Sequence, residues 1–337
     1  MKKATLTVTV CSYCKNQLLL EEFNSDRNSD LTLTDGVLSC TQCDAWFPVA
    51  EGIANFLPEH LANKTKRSEF LKKWGFNPRT RTSNMDQSSE SDKRKQIDFF
   101  NADTDEYDEN MESTPFWKAN DWNCLKNWLP KTKSEDLILD IGCGTGRASL
   151  AFAQKGSTVV GLDISEEMVK KARDKSRDLS LQDQTDYLVG DAENPPFANN
   201  SFDAVIAFGV LHHVPRPQDL LREISRLLKP DGYYFGHENN KTMLRPLFDL
   251  AMKISKLWDE EAGNHPLISQ KELDQWSKCA GMEVKSKTSV FLPPHIFNFV
   301  GESNAKRLIS FSDKLFNFIP ILKNQGGVLI VEGKHSK

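Results

Sequence analysis

The stretch Leu137-Ile138-Leu139-Asp140-Ile141-Gly142-Cys143-Gly144-Thr145-Gly146-Arg147 decides how the rest of the chain is interpreted. An apolar run typical of a buried strand leads into three closely spaced glycines, and a helical pattern follows over Ala148–Gln154. Glycines allow a sharp turn and bring ligand atoms close to main-chain N–H groups. A dinucleotide fingerprint has the spacing Gly-x-Gly-x-x-Gly, whereas here the third glycine comes one residue early and Asp140 precedes the first by two. The segment therefore predicts a ligand site on a strand–turn–helix unit that differs from the dinucleotide-binding motif.

Strands and helices alternate on the carboxyl side of this segment. A helix opens at Ser165-Glu166-Glu167 with a capping residue and an acidic first turn, and another covers 217–228 between two strands. Further apolar runs predict strands at Thr158–Leu162, Tyr187–Val189, Ala204–Phe208 and Tyr233–Phe235, and later elements at helix 269–280, strand Met282–Val290, helix 302–318 and strand Val328–Glu332. This alternation of strands and helices predicts an α/β fold with a doubly wound, mostly parallel seven-stranded sheet.

The landmarks of this domain resemble, in order, those of class I S-adenosylmethionine (SAM)-dependent methyltransferases of the type 11-like group. Asp163 ends the second strand, Gly190-Asp191-Ala192 ends the third, and Phe208 ends the fourth. The resemblance implies that SAM is the cofactor, that Asp163 accepts the ribose hydroxyls, and that Asp191 and Ala192 meet the adenine. The expected cofactor-binding residues are Asp140, Gly142, Cys143, Gly144, Gly146, Asp163, Ile164, Asp191, Ala192 and Phe208.

Each of these residues also has a plain structural interpretation. Asp140 could hold the glycine loop by accepting backbone N–H bonds, and Asp163 could cap the next helix. Asp191 precedes a turn sequence, Ala-Glu-Asn-Pro-Pro, and Phe208 could be an ordinary core residue.

Four cysteines near the amino terminus form two Cys-x-x-Cys pairs, Cys11/Cys14 and Cys40/Cys43. Zn²⁺ prefers four thiolates in a tetrahedron, and each pair can aim two of them at one point. Four protein ligands leave no open coordination position, so the predicted zinc ion is structural. A strand unit this short has too little core to hold itself together, and a metal supplies the deficit.

The segment around the second pair resembles a small zinc domain that precedes some bacterial methyltransferases. It is also similar to the ribbon of the activator subunit of tRNA and protein methyltransferases. The resemblance covers roughly residues 5–58 and implies a ribbon that could dock a protein partner. Its predicted strands are Leu6–Val10, Leu31–Thr34 and Val37–Ser39, with a tight turn at Asp35-Gly36.

The chain is therefore expected to contain a zinc ribbon at 1–58, a helical linker and lid at 59–130, and a methyltransferase domain at 131–337. The domain carries an insertion at about 240–267. A helix is predicted at about 113–129, and the polar stretch Arg79–Asp92 reads as linker.

Composition limits the cellular setting and the partners. The 337 residues carry a net charge of −4, and no apolar run approaches a membrane span. The amino terminus lacks the apolar core of a signal peptide, so a cytoplasmic location is expected. The one basic stretch, Lys64 to Lys95, lies between acidic segments, which weakens the case for a nucleic-acid partner.

Methyl transfer from a sulfonium is an in-line displacement, and the protein mainly aligns the acceptor and excludes water. A general base is needed only where the acceptor loses a proton, and His212 and His213 are the predicted candidates, with His237 and Glu238 as alternatives. The His pair could instead only shape a loop. The aromatic residues of helix 113–129 and of the carboxyl-terminal region could line an acceptor pocket, although aromatic residues at such spacing are more often core. The abundance of Phe beside Pro293-Pro294 nevertheless favours a small-molecule or lipid-like acceptor.

Two other functions remain open at this point. A family of bacterial rRNA guanine methyltransferases also carries a zinc ribbon ahead of the catalytic domain, although a ribbon that binds RNA should be basic or aromatic. The chain could also be a non-catalytic partner protein, but a degenerate domain would be expected to lose the glycines or Asp163.

Overall fold

The structure is a computed structural model, and it describes residues 1–24, 32–78, 90–254 and 266–336. Leu31 of one predicted strand, most of the predicted linker Arg79–Asp92 and part of the predicted insertion 240–267 lie outside these residues.

The amino-terminal unit is a small antiparallel sheet in the strand order β1-β2-β3-β4. Its elements are α1 (Lys3–Leu6), β1 (Leu18–Asn24), β2 (Asp35–Cys40), β3 (Trp46–Ala50) and β4 (Ile53–Ala54). The predicted tight turn at Asp35-Gly36 is wrong, because both residues lie inside β2 and pair with β1. Gly36 is needed there for close approach, since a Cβ atom would lie 2.6 Å from the carbonyl oxygen of Glu21.

The predicted strand Leu6–Val10 is also wrong. Leu6 ends helix α1, and Thr9 makes only an isolated bridge, to Phe197. The alternating Thr and Val residues suggested a strand, but the backbone of this segment bonds to residues of the large domain and not to the small sheet. The amide of Val10 donates to the carbonyl of Pro196, and the amide of Ala198 donates to the carbonyl of Val8.

Four helices connect this unit to the larger domain. They are α2 (Lys64–Trp74), α3 (Glu90–Ala102), α4 (Thr104–Ser113) and α5 (Pro115–Trp128), followed by a 3₁₀ turn at Leu129–Lys131. Helix α5 corresponds to the helix predicted at about 113–129. Proline at its first position suits a helix start, because that residue needs no backbone N–H.

The rest of the chain forms a seven-stranded sheet with helices on its faces, in the order β10-β11-β9-β8-β5-β6-β7. Its strands are β5 (Leu137–Ile141), β6 (Thr158–Asp163), β7 (Thr185–Val189), β8 (Phe202–Phe208), β9 (Leu228–Asn239), β10 (Met282–Ser289) and β11 (Val328–His335). Only β11 runs against the others among these strands, so the predicted doubly wound, mostly parallel sheet is confirmed.

The sequence predicts five of the helices described in this domain, but not the two at 245–254 and 294–299. The described helices are α6 (Arg147–Gln154), α7 (Glu166–Asp178), α8 (Pro217–Leu227), α9 (Arg245–Ile254), α10 (Gln270–Cys279), α11 (Pro294–Phe299) and α12 (Glu302–Phe318). Ser165 caps α7 by accepting a hydrogen bond from the amide of Met168, as its sequence signature predicts. In the described part of the chain, no helix is both long enough and apolar enough to cross a bilayer.

The small sheet and the large sheet share one hydrophobic core. Phe47 and Phe56 are buried in the same cluster as Leu162, Leu188 and Phe197. The two sheets also contact each other through the backbone. The amide of Phe56 donates to the carbonyl of Val189, and Asn55 forms an isolated parallel bridge with Val189. The amino-terminal unit therefore extends the β7 edge of the large sheet.

Candidate active site

A cleft with about 1120 Å³ of empty space opens at the carboxyl edge of the parallel strands, where open α/β sheets bind ligands. Loops after β5, β6, β7 and β8 form its floor, and helices α3, α4 and α5 cover it. Of the predicted site residues, the cleft is lined by Gly142, Gly144, Asp163, Ile164, Asp191, Ala192, Phe208, His212 and His213. Asp140, Cys143 and Gly146 lie behind this lining.

The glycine loop needs glycines because neighbouring side chains lie close to its backbone and because its φ angles are positive. Gly142 has φ +66°, and a Cβ atom there would meet Val210 at 2.5 Å. Gly144, at φ +51°, has nothing within 4 Å of its Cβ direction, so this residue leaves open space on the cleft side. Gly146, at φ +87°, sits against Ala172 and lets α6 begin.

The amides of this loop are not free for a ligand as the sequence suggested. Those of Gly142 and Cys143 donate to the carbonyl of Leu162, and that of Gly144 donates to Asp163. The amide of Gly146 donates to Cys143. Three of these four N–H groups bond to the end of β6 and the fourth bonds within the loop, so the predicted part of the loop amides in holding the ligand stays a prediction.

Asp140 is buried behind the loop and does not reach the cleft. One carboxylate oxygen accepts hydrogen bonds from the amide of Ser149, at 3.0 Å, and from its hydroxyl, at 2.6 Å. Burial raises the pKa of Asp140 to about 6, while the Ser149 bonds act in the opposite direction. Its observed contacts fix the start of helix α6, and its predicted part in cofactor binding stays a prediction.

Asp163 links two of the loops that form the floor of the cleft. Its carboxylate accepts from the amide of Gly144 at 2.8 Å and from the amide of Ser165 at 2.9 Å. Burial raises the pKa of Asp163, and these backbone bonds oppose the rise. A carboxylate has about four lone-pair positions, so Asp163 keeps acceptor capacity toward the cleft.

Asp191 carries a buried ion pair that the sequence did not indicate. Lys93 of α3 lies 2.6 Å from Asp191 and 2.5 Å from Glu193, and all three side chains are almost fully buried. Burial alone lowers the pKa of Lys93, but the two carboxylates together raise it above its ordinary value. The neighbouring Gln96 donates to the carbonyl of His213 at 2.6 Å, so α3 is fastened across both ends of the cleft floor.

Phe208 lines the cleft beside a second buried ion pair. Arg147 donates two hydrogen bonds to Asp121, at 2.7 and 2.8 Å, and its guanidinium lies 5.2 Å from the Phe208 ring centre. Tyr107 of α4 accepts a longer bond from the same guanidinium. These contacts hold helices α4 and α5 against the start of helix α6, which follows the glycine loop.

The two predicted catalytic histidines have different surroundings. His212 contacts Glu238 through Nδ1 at 2.7 Å, and Glu238 also accepts from the amides of Val210 and Leu211. Because the carboxylate accepts at Nδ1, that nitrogen donates and Nε2 of His212 is the atom able to accept a proton. His213 packs its ring edge against Phe100. Glu238 is fully buried beneath the loop and does not line the cleft.

His237 lies at the end of the cleft beside Phe208 and α5. Its Nε2 is 3.2 Å from the side-chain nitrogen of Asn120, and its ring meets Phe208 edge-on. Burial, followed by the charge of Arg147, lowers the pKa of His237 to about 3, so this imidazole is neutral at physiological pH. The amide oxygen of Asn120 is fully buried and has no hydrogen-bond partner among the residues that the structure describes.

Sequence reasoning missed most of the residues that α3, α4 and α5 bring to the cleft. The basic stretch that contains Lys93 was considered only as a nucleic-acid signal, and Tyr107 lies in an acidic run without apolar periodicity. Arg147 could have been identified from the sequence, because it directly follows the glycine loop. A cation at that position needs an ion-pair partner when the fold buries it. The missed lining residues are Lys93, Gln96, Phe100, Tyr107, Met111, Asn120, Arg147 and Asn239.

The four amino-terminal cysteines converge at one point, away from the cleft. Their sulfur atoms all lie within 4.8 Å of one another, with Cys11–Cys43 at 3.6 Å and Cys14–Cys40 at 3.4 Å. Tetrahedral Zn–S bonds of about 2.3 Å separate the sulfurs by about 3.8 Å, so this donor set fits a zinc ion. Each pair is followed by a residue at positive φ, Lys15 at 58° and Asp44 at 54°, which turns the chain back.

The cysteine cluster is joined to the loop that follows Asp191. Lys15 donates from Nζ to the carbonyl of Pro195 at 3.0 Å, and the amide of Val10 donates to the carbonyl of Pro196 at 2.9 Å. The loop is thus held by the amino-terminal unit on one side and by Lys93 on the other.

Comparisons with known proteins agree with this geometry. A family described as a methyltransferase domain matches residues 139–236. The ubiquinone biosynthesis O-methyltransferase of Pseudomonas entomophila is 32% identical over 50% of this chain and 75% of its own length. The 24-methylenesterol C-methyltransferase 2 of Oryza sativa subsp. japonica is 33% identical over 49% of this chain. This chain spans 46% of that relative's length.

One solved structure contains a complex between the Haloferax volcanii Trm112 methyltransferase activator and a proposed methyltransferase. It covers 72% of this chain and 98% of the matched chain, with a TM-score of 0.52 and 24% identity. At this identity the likeness concerns the fold alone.

The Lys93 ion pair generates a stability prediction. Lys93→Met leaves Asp191 and Glu193 side by side without their shared cation, and breaking a buried pair costs about 3–5 kcal/mol. We expect urea unfolding followed by tryptophan fluorescence to report this loss. Lys95→Met is the matched control, because Lys95 and Asp92 are both about 60% exposed and their pair contributes little. Equal stability of the two variants would contradict the assigned role of Lys93.

Proposed function

We infer that this chain, which belongs to the SAM-dependent methyltransferases, transfers a methyl group to a small, largely apolar acceptor. The observation that carries the inference is the character of the cleft. Its cofactor side offers carboxylates, whereas its far side is built from Phe208, Trp117 and the neutral groups Asn120 and His237. Relatives whose names specify a ubiquinone precursor or a sterol support an acceptor of this class.

The cofactor side fits SAM by the chemistry of its hydrogen-bond acceptors. Asp163 keeps acceptor positions where hydroxyl groups of a ribose would lie, and Gly144 leaves room beside it. Asp191 and Ala192 offer an acceptor and a small apolar wall for an adenine. When bound, SAM supplies an activated methyl group, so the protein needs no further electrophile. We propose residues Asp140, Gly142, Cys143, Gly144, Gly146, Asp163, Ile164, Asp191, Ala192 and Phe208 as the binding and supporting set.

The acceptor side positions a nucleophile and handles its proton. His237 is neutral above about pH 4, and its Nε2 is engaged by the side-chain nitrogen of Asn120. The amide oxygen of Asn120, which has no partner among the described residues, can accept a hydrogen bond from a hydroxyl group. His212, held by Glu238 through Nδ1, is a second candidate base at the neighbouring loop. We propose that Trp117 and Phe208, which line the cleft, shield the reacting atoms from water and help to orient the acceptor. We propose that His213 shapes this wall through its contact with Phe100.

The division of the chain follows from these roles. We propose that residues 131–337 perform the transfer and that 59–130 form the lid, because α3, α4 and α5 cover the cleft. Residues 1–58 form the ribbon. The cysteine cluster suggests that Zn²⁺ binds Cys11, Cys14, Cys40 and Cys43 as a structural ion, since four protein ligands leave no position for a substrate.

Cofactor binding can be tested at Asp163. A hydrogen bond to a charged group contributes about 1.5–3 kcal/mol, so Asp163→Asn should weaken SAM binding about 10- to 100-fold in titration calorimetry. Burial raises the pKa of Asp163, so its ionised form is lost at a higher pH than that of an exposed aspartate. The affinity of the unaltered chain should accordingly fall on acidification, and the fall should begin at a higher pH than the titration of an exposed aspartate.

The control for this measurement is Asp174→Asn, which removes a half-exposed carboxylate from the back of α7. This variant should bind SAM as the unaltered chain does. Circular dichroism is used to check that Asp163→Asn is folded. If folded Asp163→Asn binds SAM normally, the assignment of the ribose contact fails.

The zinc proposal has its own test. We expect purified chain to carry a single zinc ion by plasma mass spectrometry. Cys14→Ser should lose the metal and lower the melting temperature. It should also weaken SAM binding, because the ribbon holds the loop after Asp191. Cys279→Ser, an exposed cysteine outside the cluster, should change none of these values. Full thermal stability of metal-free Cys14→Ser would contradict a structural role.

The acceptor class can be found with methyl-labelled SAM. Cell extract is separated into polar small molecules, organic-soluble lipids and RNA, and each fraction is incubated with the chain. We expect label in the organic-soluble or small-molecule fraction, and none with Asp163→Asn. Labelling of RNA alone would overturn the proposed acceptor class. Binding of SAM without labelling of any fraction would favour a non-catalytic partner protein.

A further inference from the structure

Helix α12 presents an unusual face to solvent. Phe311, Leu315 and Phe318 recur at spacings of four and three residues, so they share one side of the helix. Phe311 is 64% exposed and Phe318 is 86% exposed. Ile321, three residues beyond the helix, is 79% exposed. Single exposed apolar residues are common, but a row of large ones on one helix face indicates an interaction surface.

The exposed charges that share this side of α12 are positive. Arg307 and Lys314 are exposed on the same side of α12, and neither has an ion-pair partner among the residues described. Lys126 of α5 donates to Ser310 at 3.1 Å and lies beside the row. Burial lowers the pKa of Lys126, and the nearby cations Lys287 and Lys314 add to this effect.

The carboxylates of α12 do not offset these cations. Asp313 points inward, where it accepts hydrogen bonds from Ser289 at 2.6 Å and Asn123 at 3.0 Å. Glu302, at the start of the helix, is paired with Lys306 and Lys118. The exposed face therefore combines aromatic and aliphatic side chains with unpaired positive charge.

We propose that the α12 face, defined as Arg307, Phe311, Lys314, Leu315, Phe318 and Ile321, docks on an anionic lipid bilayer. A helix with Phe and Leu on one side, bordered by Lys and Arg, inserts its apolar side chains at the headgroup boundary. Anionic headgroups are complementary to the cations that the face leaves unpaired. A protein partner with an apolar patch would have no need of this charge.

The position of the face suits the acceptor class proposed above, and this step rests on that proposed function. Helix α12 packs along α5, and α5 contributes Trp117 and Asn120 to the cleft. Phe116 of α5 also packs on Phe297 of α11, with ring centres 5.8 Å apart. The docking face is thus one helix away from the acceptor end of the cleft, where an apolar molecule dissolved in the bilayer would enter.

Vesicle sedimentation tests the proposal with the full chain. The probes are vesicles of phosphatidylcholine alone and vesicles with equal amounts of phosphatidylcholine and phosphatidylglycerol. We expect binding to the mixed vesicles, weakened about tenfold or more in Phe311→Ser/Phe318→Ser and in Arg307→Glu/Lys314→Glu. Binding should also weaken as salt is raised, because the electrostatic part is screened.

Two control variants keep the result specific. Leu19→Ser removes an exposed leucine from the ribbon, and Lys64→Glu/Lys72→Glu reverses two exposed lysines on α2. Both should sediment like the unaltered chain. Failure of the unaltered chain to bind either vesicle, or equal loss in the controls, would overturn the proposal. So would a dimer that Phe311→Ser/Phe318→Ser abolishes, because a second copy of the chain would then cover the face.

Calorimetry with SAM separates this test from that of the proposed function. The α12 variants should bind SAM normally, since none of the altered residues lines the cleft. A chain that binds SAM but ignores vesicles would refute only the docking proposal.

Discussion

The carboxylate of Asp163 holds the floor of the cleft together. It joins the glycine loop after β5 to the start of helix α7 by accepting from Gly144 and Ser165 at the same time. These two loops follow different strands, and this partly buried side chain bonds to both of them, in addition to the backbone bonds from Gly142 and Cys143 to Leu162. A buried carboxylate without such donors would be expensive, and the backbone amides offset much of that cost. The same residue is therefore both a structural tie and the proposed ribose ligand.

Most of the sheet could be predicted because its signals are local. An apolar run, a glycine turn and a capping residue such as Ser165 are each visible within a few residues. The order of the strands was not predicted, because it depends on pairing between distant segments. The amino-terminal unit was harder, since Thr-Val alternation before Cys11 resembles a strand when viewed alone. Its backbone instead pairs with Pro196 and Ala198, which are nearly 190 residues away in the sequence. No local pattern carries that information.

The same reasoning explains which parts of the candidate site escaped prediction. Residues at strand ends were identified because the fold brings all strand ends to one edge. Lys93 and Asn120 lie on helices whose docking positions are set by long-range contacts, so their sequence neighbourhoods resembled ordinary polar helix. The glycine loop adds a different lesson, because Gly142 and Gly146 are required by packing against Val210 and Ala172. The glycine motif does lie at the cleft, although four of its amides bond within the protein.

Electrostatics divides the cleft into two halves, and this division limits the chemistry more strictly than the fold does. Asp163 and Asp191 face the half that we assign to the cofactor, where hydroxyl and amino donors would satisfy them. The other half holds a histidine whose pKa is lowered to about 3 and an asparagine whose side-chain oxygen has no hydrogen-bond partner within the described ranges. A charged acceptor would meet no counter-ion in that half, because Arg147 is already paired with Asp121. A neutral acceptor with one polar group would satisfy Asn120 and His237 while its apolar part contacts Phe208 and Trp117.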